Sequence, residues 1–170
     1  MSLNKTIVFQ GMCYSGKSTL GKMTADALGV SFLDSRDLFF KVHGMSEIDY
    51  LSQYGKEKFI EAEKESLYHD FNGVFSCGGS AVYYEKEMNM LKDKYDIIWL
   101  DVEYSNIIIR KEKEAKERPI VYPEGINSFE ELYNQRKQLY PKYTTHRITV
   151  SDAEDISTTL KKILRSLINN

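Results

Sequence analysis

Gly11-Met12-Cys13-Tyr14-Ser15-Gly16-Lys17-Ser18 fits the pattern Gly-x-x-x-x-Gly-Lys-Ser/Thr at each fixed position. The spacing has a chemical reason. Gly11 and Gly16 let the chain curl so that successive backbone N–H groups face one phosphate, and the helix that follows adds its positive end. Lys17 then brings a point charge to the β- and γ-phosphates, and the Ser18 hydroxyl suits a magnesium ion bridging the same oxygens. Average composition produces this pattern by accident in under about 1% of chains this long. Its surroundings fit as well. Thr6-Ile7-Val8-Phe9 reads as a strand before the loop, and 18–28 reads as a helix closed by Gly29. ATP and Mg²⁺ are therefore the expected cofactors.

Outward from the loop, short strand-like runs alternate with longer helical ones. Strands are expected at 31–34, 73–77, 96–100 and 146–150, and helices at 36–42, 47–54, 56–71, 104–116 and 128–139. A last helix opens with Ser151 and Glu154, spaced as a capping box, and carries an apolar stripe of Ile156, Leu160, Ile163, Leu164 and Leu167. Residues 117–127, polar and marked by proline and glycine, read as a mobile loop. Strands alternating with helices predict an α/β fold with a parallel sheet covered on both faces. Ligands in such folds sit beyond the carboxyl ends of the strands, which sets Gly11, Asp34, Cys77 and Asp101 on one rim.

Composition narrows the function class. The chain has 170 residues, 42% of them hydrophobic and 28% charged, which suits one ordinary domain over 1–170. A net charge of -2 lacks the basic excess of a nucleic-acid binder. Cys13 and Cys77 form no metal-ligand spacing, and His43, His69 and His146 form no triad. The first five residues carry no signal pattern, and runs such as Ile97-Ile98-Trp99-Leu100 are too short to span a bilayer. A cytoplasmic monomer without nucleic-acid or membrane partners is the expectation.

Several pieces in order resemble the shikimate kinase family of P-loop enzymes, over nearly the whole chain. They are Gly16-Lys17-Ser18-Thr19-Leu20-Gly21, Phe32-Leu33-Asp34, and Gly44-Met45-Ser46 followed by Gly55 and Phe59. Cys77-Gly78-Gly79-Ser80-Ala81-Val82, Arg118-Pro119-Ile120, and Arg136 with Tyr140 complete them. The resemblance implies a three-layer P-loop NTPase fold, strand order 2-3-1-4-5, a helical substrate region at about 36–62 and a lid at about 117–127. It implies a kinase that passes the γ-phosphoryl group of ATP to a small-molecule hydroxyl. Lys17, Asp34 and Arg118 would be catalytic. Gly11, Ser15, Gly16, Lys17, Ser18, Thr19 and Arg110 would hold the nucleotide, and Ser18 and Asp34 the metal. Arg36, Phe59, Glu63, Gly78, Gly79, Ser80 and Arg136 would face the acceptor. For the acceptor's proton, Asp34 is the first choice and Asp37 the substitute.

The acceptor half departs from the family pattern. Where the family carries Asp-x-Asp, this chain has Asp34-Ser35-Arg36, so a hydroxyl-binding acid has become a donor-only guanidinium. The family's Phe-Arg-x-x-Glu becomes Phe59-Ile60-Glu61-Ala62-Glu63, losing an arginine that would clasp a carboxylate. Ser80 replaces a third glycine, while Arg136, the other carboxylate-binding arginine, is kept. Arg36 taking over from the position of Ile60 is one reading of the coupled change. Glu63 shares a helical stripe with Phe59 and Leu67, so it is either paired or at a site edge, or else at the stripe's margin reaching solvent. An altered, anionic acceptor is expected. The alternatives are a nucleoside or nucleotide kinase and a non-catalytic nucleotide-binding regulator.

Overall fold

The computed structural model describes residues 6–115 and 118–168. The opening five residues, Lys116 at the end of the expected helix and Glu117 at the start of the expected lid lie outside the described residues. Strands β1 (Ile7–Gln10), β2 (Phe32–Asp34), β3 (Val74–Ser76), β4 (Asp96–Val102) and β5 (His146–Val150) form one sheet of order β2-β3-β1-β4-β5. Each neighbouring pair is parallel. Helices α1 (Lys17–Leu28), α2 (Ser35–His43), α3 (Glu47–Ser66) and α4 (Glu85–Lys94) belong to the first part of the chain. Helices α5 (Tyr104–Lys113), α6 (Phe129–Leu139) and α7 (Ile156–Ile168) follow.

Strand alternation divides the core into two layers. Ile7 and Phe9 of β1 join Ile98, Leu100 and Val102 of β4 on one face, against Leu20 and Ala25 of α1, Ile107 of α5 and Ile163 of α7. Val8, Ile97 and Trp99 point to the other face, against Leu38, Leu67, Phe75, Met88 and Leu91. Side chains as deeply buried as these contribute roughly 1.5–3 kcal/mol each. The central strands consequently carry continuous apolar stretches such as Ile7-Val8-Phe9 and Ile97-Ile98-Trp99-Leu100, whereas edge strand β5 alternates buried and exposed residues. A third, smaller cluster of Phe39, Phe59 and Ala62 holds α2 against α3.

Local chemistry explains most element ends. Asp34 caps α2 by accepting from the Arg36 backbone N–H at 3.0 Å, and Ser46 caps α3 through Asp49 at 3.2 Å. The two helices expected at 47–54 and 56–71 run as one element broken at Gly55, whose φ of 81° and ψ of 172° are not helical. Its last stretch stops at Ser66, short of the expected Phe71, which instead stacks on Phe75 at 3.9 Å. Helix α4 is a segment that periodicity missed, because only Met88 and Leu91 of its apolar residues are buried within a charge-dense run.

The capping box expected at Ser151 and Glu154 does not form. The Glu154 N–H donates to the Ser151 carbonyl at 3.2 Å in a turn, α7 begins at Ile156, and Asp155 accepts from Ser157 N–H at 2.7 Å. A full capping box occurs instead at α6, between Ser128 and Glu131. Asp155 thus sits where the cap of α7 falls, and Asp152 in the turn before it is bonded to Arg110.

Helix α1 lies against the sheet at Gly21, where a Cβ would stand 2.8 Å from Phe32 Cε2. Gly21→Ala is expected to lower stability by about 1–3 kcal/mol by forcing Phe32 out of place. Urea unfolding monitored by circular dichroism measures it, and an unchanged midpoint would contradict the packing.

Candidate active site

At the carboxyl ends of β1, β2 and β3 lies one cavity of about 970 Å³. Its walls include the loop from Cys13 to Thr19, Asp34 and Arg36 after β2, Gly78 to Ser80 after β3, Arg110 and Arg118. Arg136, Glu47, Phe59 and Glu63 complete the part that matters for chemistry. Of the expected site residues, Gly11 and the substitute base Asp37 are absent from that lining. Gly11 is the one with a structural part. It works from behind, where a Cβ would meet the Leu100 carbonyl oxygen at 2.9 Å and its φ of 146° suits glycine.

The phosphate loop is already curled. Gly16 caps α1 with a φ of 93°, and Tyr14 adopts a left-handed φ of 65°, uncommon for an aromatic residue. Contacts hold Tyr14 there: its carbonyl accepts from Arg110 Nη1 at 3.2 Å, and the Arg118 guanidinium lies 4.9 Å from its ring centroid. Lys17 is buried and donates to the carbonyls of Gly11 and Met12 at 2.9 and 2.8 Å. Burial lowers the Lys17 ammonium to about 8. Ser15 is fully buried, with its hydroxyl oxygen unpaired within the protein, while Thr19 is exposed at the rim.

Beside the loop, Ser18 Oγ donates to Asp34 Oδ2 at 2.5 Å. Asp34 Oδ1 accepts from Arg36 Nε at 3.1 Å as well as from the Arg36 backbone. Burial alone would raise the Asp34 carboxyl, but the hydrogen bonds from Arg36 and Ser18 outweigh it and hold the group below the usual range. Among the described residues no group of three or more His, Cys, Asp or Glu is placed to hold a metal. Magnesium that takes one carboxylate, a hydroxyl, phosphate oxygens and water needs no such group. Ser18 and Asp34 fit that donor set.

Glu63 is paired, which resolves its two readings. Ser80 Oγ donates to Oε1 at 2.7 Å and Tyr84 Oη to Oε2 at 2.5 Å. Burial pushes the Glu63 carboxyl up against the opposing effect of these two bonds. Ser80 is thus engaged with the protein itself. Phe59 is buried beneath the same wall. Ile60 packs against the apolar cluster of Phe75 and Trp99 and is absent from the cavity lining.

Arg136 is 2% exposed, and among the described residues no carboxylate lies within ion-pair distance of it. Its guanidinium sits 5.2 Å from the Tyr83 ring centroid, and Nη1 approaches Cys13 Sγ at 3.8 Å. Its Nε is buried without a partner. Gly79 makes room for it: a Cβ there would stand 3.0 Å from Arg136 Nη1 and 3.3 Å from the Cys13 backbone nitrogen. The other arginines are matched. Arg110 pairs with Asp152, Arg118 with Glu114 at 3.2 Å, and Arg36 with Asp34. Lys17 and Arg136 are left as buried cations of this cavity with no carboxylate in ion-pair contact among the described residues, Asp34 and Glu63 acting on them only at longer range.

Two functional candidates escaped the sequence. Asp152 joins Arg110 across 42 positions, a pairing that no local pattern signals. Glu47, in the first turn of α3, looked like an ordinary helix-start acid but lines the cavity. Burial, with Glu63 adding to it, pushes the Glu47 carboxyl up to about 7. The 118–121 stretch also lines the cavity, and Lys56 Nζ donates to the Tyr122 carbonyl at 2.6 Å.

A phosphate loop on a 2-3-1-4-5 parallel sheet defines a P-loop kinase, an ATP-dependent phosphotransferase. The shikimate kinase family model matches residues 14–168, and the chain belongs to that family. A shikimate kinase of Sulfurihydrogenibium sp. is 32% identical over 139 residues, covering 80% of this chain and 82% of that protein. The crystal structure of shikimate kinase from Aquifex aeolicus superposes with a TM-score of 0.80 at 27% identity, covering 97% of each chain. Shikimate kinase from Acinetobacter baumannii in complex with shikimate gives a TM-score of 0.82 at 22% identity, over 98% of this chain and 94% of that one. The last likeness bears on fold alone. No helix among the described residues is long and apolar enough to cross a membrane.

Glu47 has a pH signature. Its folded value of about 7 lies above the ordinary 4.5, so the native state holds that proton more tightly than the unfolded chain. The associated stability is complete below pH 4.5 and is lost as pH rises through 7. Glu47→Gln is therefore expected to gain stability relative to the parent between pH 5 and pH 8. Urea titrations at the two pH values test it; an equal difference at both contradicts the assignment.

Proposed function

We propose that the chain transfers the γ-phosphoryl group of Mg·ATP to a hydroxyl of a small anionic metabolite, at an acceptor site altered from the family pattern. The observation that carries this reading is Arg136: 2% exposed, with an unpaired Nε, on the wall of the cavity that also holds Lys17. A buried guanidinium with no carboxylate in ion-pair contact, Glu63 acting on it only at longer range, is costly unless a ligand supplies the anion. Two such cations on one cavity suit two anionic groups, the phosphates at Lys17 and an acid of the acceptor at Arg136.

The residues divide by role. Gly11, Ser15, Gly16, Lys17, Ser18 and Thr19 receive the phosphates, with Arg110 on the nucleotide side. Ser18 and Asp34 would hold magnesium, which would offset the phosphate charge. The 118–127 stretch acts as a lid, and Arg118 stabilises charge on the phosphoryl oxygens. On the acceptor side stand Arg36, Phe59, Glu63, Gly78, Gly79, Ser80 and Arg136. In the transfer, the acceptor oxygen bonds to the γ-phosphorus, the bond to the β-bridging oxygen breaks, and ADP leaves. The hydroxyl proton passes to Asp34. An Asp held below its usual range is a weak base, which suffices where positioning and electrostatics supply most of the catalysis.

Coupled ADP release with Mg·ATP against shikimate, other polyol acids, gluconate and nucleoside monophosphates tests the reading. Turnover is expected with a polyol or hydroxy acid other than shikimate. Efficient turnover of shikimate would overturn the altered site, and turnover of a nucleotide would overturn the acceptor class. Lys17→Ala is expected to abolish activity. Arg136→Met is expected to cost about 2–5 kcal/mol in kcat/KM, mostly through the acceptor KM, because a buried charged partner is lost. An unchanged KM would remove Arg136 from the acceptor site.

A further inference from the structure

Arg36 does more than line the acceptor wall. Its Nε donates to Asp34 Oδ1 at 3.1 Å and its Nη2 to Ser18 Oγ at 3.2 Å. Ser18 spends its own proton on Asp34 Oδ2 at 2.5 Å, so a lone pair of its oxygen faces the guanidinium. Ser18 and Asp34 are also the two groups assigned above to magnesium. A guanidinium only donates, and it occupies oxygen lone pairs of the kind a divalent cation requires.

We infer that Arg36 and the divalent cation compete for the Ser18–Asp34 pair, and that metal–nucleotide loading releases the guanidinium toward the acceptor side of the cavity. Two features favour the release. The Arg36 side chain is 46% exposed, unlike the enclosed Arg136, so it can swing without unpacking the core. Glu47 and Asp37 attract it electrostatically, and Glu47 lies on the cavity wall. The backbone N–H of Arg36 keeps its bond to Asp34, so the α2 cap does not depend on the side chain. One residue thereby couples the two halves of the site. Without metal it neutralises Asp34; with metal it becomes a second guanidinium for an anionic acceptor.

The inference rests on the proposed metal role of Ser18 and Asp34, but its test needs no acceptor and no turnover. ADP binding to the full chain is measured by calorimetry across a Mg²⁺ series, with Mn²⁺ binding followed by electron paramagnetic resonance. Arg36→Ala is expected to lower the Mg²⁺ concentration for half-maximal tightening of ADP by about fivefold or more. Arg36→Lys keeps the charge but not the two-pronged contact, and is expected to fall between the two. The Arg36 Nε–H resonance, assigned by its loss in Arg36→Ala, is expected to shift when Mg²⁺ and ADP are added together but not with ADP and chelator. An unchanged metal midpoint in Arg36→Ala, a Lys variant matching the parent, ADP binding indifferent to Mg²⁺, or an unmoved Nε–H signal would each overturn it. Failure to find an acceptor would bear on the proposed function alone.

Discussion

Strand β1 has a neighbour on each edge and apolar side chains of Ile7, Val8 and Phe9 packed against both faces, so polar groups enter only at its carboxyl end, from Gln10 onward. The charged chemistry of this chain is consequently confined to where β1 and its neighbours end. The turn leaving β1 must curl at once, because Gly11 passes the Leu100 carbonyl so closely that a Cβ would stand at 2.9 Å. That constraint aims the loop's backbone into the cavity and places Lys17 inside it. The other rim residues inherit their positions from the same sheet: Asp34 from β2, Gly78 to Ser80 from β3.

Charge matching then separates residues whose charge is met within the protein from residues whose charge is not. Arg110, Arg118 and Arg36 each have a carboxylate, and Glu63 has two hydroxyl donors. Lys17 rests on backbone carbonyls and Arg136 on sulfur and an aromatic face, neither of which offsets a full charge. Ser80 and Tyr84 both supply hydroxyls to Glu63. Arg36 brings its charge to Asp34 rather than to the place of Ile60, which is turned into the core.

The phosphate loop, the five strands and most helices were legible because each depends on near neighbours in sequence: a glycine spacing, an alternation, a cap. Where reading failed, distant contacts overrode local pattern. Ser151 and Glu154 have capping-box spacing, yet the cap of α7 falls at Asp155, and Asp152 in the turn before it is bonded to Arg110. Helix α4 carries too few buried apolar residues for its period to stand out. Glu47 has the form of a helix-start acid, and only its burial on the cavity wall, with Glu63 from a later turn of the same kinked helix adding to it, gives it a shifted titration.

Residue types and spacing alone determined the donor half of this protein: a glycine-framed loop, a lysine and a hydroxyl within eight consecutive positions, since backbone geometry there is local. The pairing of charges was decided by tertiary structure. Arg36 meets Ser18 across 18 positions, Glu63 meets Tyr84 across 21, and Arg136 reaches Cys13 across 123. Electrostatic energies in a cavity depend on separations of a few ångströms, and chain folding sets those separations without leaving a mark in the local sequence.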